Sequence, residues 1–157
     1  MAQISCMPMT RSTALQAFPL VRAIYPWMSL DQWQKRLSSV MAGGNHNGAI
    51  VATRGGYVRG VFTYGLAPAG GALTRLEIRD LCVMDILEGD DVLISLAENI
   101  RGKVRDLGTS DSMIYLTPAQ SREGRILARE GLETRTLCGE ALLDGPPSTI
   151  SDRKAIV

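Results

Sequence analysis

At 157 residues the chain is close to the commonest size for one domain and long enough to bury a single substantial core. Apolar residues make up 45% and charged residues 21%, and the formal net charge of +1 supplies no global field that would draw the chain to nucleic acid or acidic lipid. No window approaches the length of a membrane-spanning helix, so neither a membrane nor a nucleic acid is an expected partner.

The first ten residues, with Ile4, Cys6, Met7 and Met9, read as an edge strand. The start is interrupted by Arg11, Pro19 and Arg22 and lacks the apolar core of a signal peptide, so the expected location is cytoplasmic. Two helices follow, over about residues 12–24 and 30–41, separated by Pro26. The second opens with "SLDQ", where Ser29 and Gln32 fit a capping box, and Leu30, Trp33 and Leu37 recur at helical spacing as a core-facing stripe. "AGGNHNG" then punctuates the chain. It holds the only histidine, His46, which reads as a loop residue, because a hydrolytic His must be held rigidly beside a nucleophile.

"GAIVATRGGYVRGVFTYGL" predicts a hairpin: two β-branched and aromatic runs joined by "RGG", whose glycines supply the positive φ angles of the turn. "APAGGA" reads as a flexible connector. "LTRLEIRDLCVM" is a further strand, and its alternation places Glu77, Arg79, Leu81 and Val83 on one side. Cys82 lies in this apolar run as a small core residue; with Cys6 and Cys138 it makes an odd, widely spaced set that predicts neither disulfides nor a metal site.

"VMDILEGDDVLISLAENI" joins a strand end to a helix over about residues 91–107 through a short loop bearing Glu88, Gly89 and Asp90. Lys103, Arg105 and Gly108 suit the helix's C-terminal end. "SMIYLTP" is a short buried strand, "AQSREGRILAREG" a helix stopped at Gly131, and "LETRTL" and "GEALL" final strands. The order β-α-α-β-β-β-α-β-α-β predicts a mixed α/β fold, a central mixed sheet flanked by helices. Residues 1–143 form a single domain in this reading and residues 144–157 a loose polar tail.

That order, and several residues within it, resembles the GNAT superfamily of acetyl-CoA-dependent N-acyltransferases. "VRGVF" supplies the glycine, Gly60, of a hairpin-strand step; "EIRDLCV" matches Glu-Ile-x-x-Leu-x-Val; and Gly131 in "LAREGL" matches the glycine of Tyr-x-x-x-Gly-Phe. The similarity spans residues 1–143 and rests mainly on 60–132. It implies an acetyl-CoA or other acyl-CoA cofactor, a small-molecule or protein amine as acceptor, and Glu77 as the general base that takes the amine's proton. It implies cofactor contacts at Leu81, Val83, Gly89, Asp91, Val92, Leu93 and Gln120, and no metal. Read from the residues alone, Glu77 is rather an ion-pair partner of Arg75 or Arg79 across a sheet face than a base.

The side chains depart from the family pattern. Leu127 stands where many members carry the tyrosine that protonates the leaving thiolate. The loop that wraps a pyrophosphate in the family, with backbone N–H groups at a helix N-terminus, keeps Gly89 here. Asp91 and Leu93 replace its later small residues, Glu88 replaces an Arg or Gln, and Asp90 takes an often basic position. The acids read in two compatible ways. They cap the helix, worth about 0.3–1 kcal/mol, and they occupy the phosphate's place. A carboxylate about 4 Å from a phosphate charge costs on the order of 4 kcal/mol at an effective dielectric near 20, so weak binding of CoA is expected from the loop alone. A non-catalytic module of the same fold, binding a protein or another ligand and including the homodimer as one form, is the alternative. Acceptor choice would fall to the first two helices and to loops near Trp27, His46 and Tyr64.

Overall fold

A computed structural model describes residues 3–84 and 90–138. Glu88, Gly89, the final strand expected at "GEALL" and the tail from 144 lie outside the described residues. The elements run β1 (Ile4–Pro8), α1 (Arg11–Ile24), α2 (Leu30–Met41), β2 (Gly48–Arg54), β3 (Tyr57–Gly70), β4 (Leu73–Val83), α3 (Asp91–Asp106), β5 (Asp111–Leu116), α4 (Ser121–Arg129) and β6 (Thr134–Thr136). They follow the expected order. The sheet is ordered β1-β2-β3-β4-β5-β6, antiparallel from β1 to β4 and parallel from β4 to β6.

Local chemistry explains most boundaries. Ser29 and Gln32 form the capping box, with Gln32 N–H donating to Ser29 Oγ at 3.1 Å and Ser29 N–H to Gln32 Oε1 at 2.8 Å. Thr10 and Thr13 make a second box at the start of α1, a threonine standing in for the usual Glu or Gln. The hairpin turn falls on Gly55 and Gly56, both at positive φ. "APAGGA" is not a free connector: β3 runs on to Gly70, Ala67 and Pro68 pair with Arg75 and Thr74, and the turn sits at Gly70 and Gly71. Pro68 is tolerated because it lies at the far end of the hairpin, beside a register shift. Leu30 also departs from expectation. At the first turn of α2 it is exposed, and the buried stripe is Trp33, Leu37 and Val40.

Each face of the sheet has its own core. Ile50, Phe62, Leu76, Ile78 and Leu81 pack with α3 and α4 residues such as Leu96, Ile100 and Leu127. Val51, Val61 and Cys82 pack with Leu20, Val21, Trp33 and Leu37 of α1 and α2.

The expectation that Glu77, Arg79, Leu81 and Val83 share one side fails at Asp80. Thr63 pairs with Arg79 and Val61 with Cys82, so β4 carries one extra residue, a β-bulge. Asp80 has φ 55°, the left-handed region that Asp tolerates better than most residues. The bulge resets the alternation. Glu77 and Arg79 lie on the side of α1 and α2, whereas Leu81 and Val83 join the α3 side.

A buried carboxylate in a central strand needs partners. Asp80 is 2% exposed, and its Oδ2 accepts from Arg36 Nε at 2.9 Å and from Thr63 Oγ1 at 2.7 Å. Arg36→Met would leave the charge buried without its guanidinium. We expect a loss of about 3–5 kcal/mol, the usual result of removing one partner of a buried ion pair. Urea unfolding at neutral pH checks this; a midpoint within error of the parent would mean the pair contributes nothing.

Candidate active site

The β4–β5 ladder is short. Its pairs run from Arg75 with Asp111 to Ile78 with Ile114, and no β4–β5 pair follows among the described residues, although β4 continues to Val83. Past Ile78 the two strands part. Gln120 spans the opening: its Nε2 donates to the Leu81 carbonyl at 2.6 Å and its Oε1 accepts from the Thr117 N–H at 2.9 Å. Fully buried, this amide satisfies two backbone groups that the parted strands leave without a ladder partner.

On the α1/α2 side of the opening stand Glu77, Arg79 and, from β5, Tyr115. Glu77 is 4% exposed, and its Oε2 lies 3.6 Å from an Arg79 terminal nitrogen. The Arg79 guanidinium lies 4.3 Å above the centroid of the Tyr115 ring. Burial pushes the Glu77 carboxyl above its ordinary range, against the opposing pull of Arg79, the Tyr115 hydroxyl and Arg75. Tyr115 is pushed up as well, by burial and then by the Glu77 charge. Cys82 is no nucleophile: complete burial, reinforced by the Asp80 charge, holds its thiol far above the usual range. Tyr25 is likewise raised by burial and by Asp80.

On the other side of the opening lies the N-terminus of α3. It approaches closely because β3 carries no side chain at Gly60, where a Cβ would stand 2.9 Å from Leu96 Cδ1 and 3.0 Å from Val92 Cγ1. Val92 and Leu93 are core residues, so their side chains point into the α3/α4 core. The expected capping by carboxylates is not what the structure shows. Asp90 occupies the N-cap position but makes no side-chain cap bond. Instead its Oδ1 accepts from Arg122 at 2.7 Å, and its Oδ2 lies 3.5 Å from Arg129. Asp91, mostly exposed, lies 3.6 Å from Arg54. Charges distant in sequence thus win over the local cap. The arginines of β2 and α4 also offset the negative field expected from the acids alone.

The structure therefore gathers Glu77, Leu81, Val83, Gln120 and the first turn of α3 around one opening. Gln120 meets a β4 carbonyl, and Leu127 is wholly buried in the α3/α4 core. Sequence reasoning passed over Tyr115 and the Arg36–Asp80–Thr63 group. The available signal for the latter was a lone acid inside the apolar run "IRDLCV".

No family model and no curated protein sequence matches the chain. Solved structures do. The aminoglycoside N-acetyltransferase AAC(6')-Iy in complex with CoA superposes with a TM-score of 0.73 at 11% identity, over 88% of this chain and 94% of that one. Glucosamine-6-phosphate N-acetyltransferase from Arabidopsis thaliana gives 0.66 at 10% identity, over 87% and 96%. Ribosomal-protein-alanine N-acetyltransferase from Brucella melitensis biovar Abortus 2308 gives 0.66 at 14%, over 87% and 96%. The chain has the fold of the GNAT acetyltransferases.

Gln120→Ala removes both bonds across the opening. The buried Leu81 carbonyl and Thr117 N–H are left unsatisfied, at a cost of about 1–3 kcal/mol. Urea unfolding reads this, and amide exchange at residues 117 and 120 should quicken; unchanged stability would show that water replaces the amide without loss.

Proposed function

We propose that the chain is an acyl-CoA-dependent N-acyltransferase acting on a small-molecule or protein amine. The observation that carries this reading is the Glu77 carboxylate, buried beside the point where β4 and β5 part, with no hydrogen-bond partner for Oε2 among the described residues. An amine attacks a thioester only when neutral, and a desolvated carboxylate with raised proton affinity is suited to take its proton. The fold, shared with N-acetyltransferases, supports the same reading.

The residues fit a CoA thioester. Leu81 and Val83 border the opening on β4. The first N–H groups of α3, which no Asp90 cap occupies, are the helix-end donors suited to a phosphate. Asp91, Val92 and Leu93 supply that turn, and the nearby guanidinium groups of Arg54, Arg122 and Arg129 are of the right sign. CoA would supply the activated acyl group; this chain's residues bind it, position the amine and accept its proton. The non-catalytic reading is favoured by two observations: Leu127 offers no hydroxyl, and Glu77 lies within ion-pair range of Arg79.

Thermal shift with acetyl-CoA and thiol release with a panel of amines test both readings. A dissociation constant of about 0.1 mM gives roughly 1.4 kcal/mol of stabilisation at about 1 mM ligand. For a chain of this size that corresponds to a rise in melting temperature of about 3–6 °C. No shift would overturn the proposal; a shift without turnover on any amine would leave the non-catalytic reading. If turnover is found, Glu77→Gln should lower it by roughly 10²-fold. The ionised carboxylate is the active form and its proton affinity is raised, so activity should be lost as pH falls through a midpoint above the ordinary Glu range.

A further inference from the structure

The Glu77–Arg79 contact has an unusual form for a buried pair. Both side chains are about 5% exposed, yet they approach only to 3.6 Å, within ion-pair range but beyond a hydrogen bond. Glu77 Oε2 keeps its lone pairs free of hydrogen-bond donors among the described residues. The guanidinium also lies over the Tyr115 ring, 4.3 Å from its centroid. Tyr115 belongs to β5, one residue past the last β4–β5 pair, so the stack forms at the mouth of the opening. A planar guanidinium suits this face-on contact and stays charged at any accessible pH, which a Lys ammonium does neither as well nor as surely.

We propose that Arg79, lying over the Tyr115 ring, is the positioning residue that keeps the Glu77 carboxylate ionised and free to accept a proton at the mouth of the β4–β5 opening. The inference rests on the acyl-transfer reading of Glu77. Burial alone drives a carboxyl toward its neutral form, in which it cannot accept the amine's proton. A direct bidentate salt bridge would hold the charge but would occupy both oxygens. Charge at a distance does the first without the second. Among the described residues, the other groups acting on Glu77 are Arg75 from β4 and the Tyr115 hydroxyl. Arg75 makes a bidentate pair with Asp111, at 2.9 Å for each bond, which leaves Arg79 as the principal counter-charge. Asp80, three residues on, is held by Arg36 and Thr63.

The test is a carboxyl-carbon NMR titration of Glu77 in the full chain, read beside the pH–rate profile. Arg79→Met should raise the Glu77 midpoint by about one pH unit or more, the usual effect of losing one close opposite charge. Tyr115→Leu should raise it by less, since the charge stays but is no longer held. Tyr115→Phe keeps the ring and should move it least of the three. In the transfer reaction, the acid limb should follow the NMR midpoint in each variant. An unchanged midpoint in Arg79→Met would overturn the inference even in a fully active protein. If that variant does not fold, Tyr115→Leu at its half-buried site decides: a midpoint no different from Tyr115→Phe overturns the clamp. Because the titration needs no turnover, failure of the acyl-transfer reading would appear separately, as midpoints that move as expected in a protein without activity on any amine.

Discussion

A carboxylate in the middle of a central strand is the constraint on which the arrangement of this protein depends. Asp80 lies in the left-handed region and adds one residue to β4 opposite β3. The strain is held by Arg36 from α2 and Thr63 from β3, which both donate to one oxygen of the buried side chain. From that point the strand's parity is reversed. Leu81 turns into the α3/α4 core and Cys82 toward α1/α2. The Leu81 carbonyl meets Gln120 rather than a β5 amide. The β4–β5 ladder ends at Ile78, two residues before the break at Asp80.

The two sides of the sheet consequently have different electrical characters. Toward α3 and α4 the buried surface is apolar. Toward α1 and α2, the same strand sets two carboxylates, Glu77 and Asp80, among the guanidinium groups of Arg36 and Arg79. The pairs balance in formal charge, but their geometries differ. Arg36 meets Asp80 at 2.9 Å with its Nε–H as donor, a closed contact suited to fixing backbone shape. Arg79 stands 3.6 Å from Glu77 and lies over the Tyr115 ring as well. Each pair leaves one carboxylate oxygen, Asp80 Oδ1 or Glu77 Oε2, without a hydrogen-bond partner among the described residues.

Features governed by neighbours in sequence were legible. The Ser29–Gln32 capping box, the glycine turn of the first hairpin and the order of the elements all follow from spacings of a few residues. Gly60 was legible as a pattern, but its reason is steric: α3 approaches where a Cβ would collide with Val92 and Leu96. What local reasoning missed depends on partners brought in by the fold. Alternation through "EIRDLCV" assumes an unbroken pleat, and the break at Asp80 is supported by a residue 44 positions away. "APAGGA" has the composition of a connector, but cross-strand pairing with Arg75 and Thr74 overrides composition. Leu30 belongs to the helical stripe by spacing, yet at the first turn of α2 it is exposed.

The acids at the start of α3 show the same limit in electrostatic form. Along the chain, Asp90 and Asp91 stand together with no basic neighbour, and a local reading makes them a barrier to any anion. Coulomb interaction acts through space, however, and the fold sets Arg54, Arg122 and Arg129 against them. These pairs are partly to largely exposed, and such pairs are worth about 0–1 kcal/mol each, so they hold α3 in place only weakly. What does hold it is the burial of Val92, Leu93 and Leu96 against the strand that Gly60 leaves bare. Stability and charge are therefore separable at this helix end: packing sets the position of its N–H groups, and the charges around them set the sign and strength of the local field.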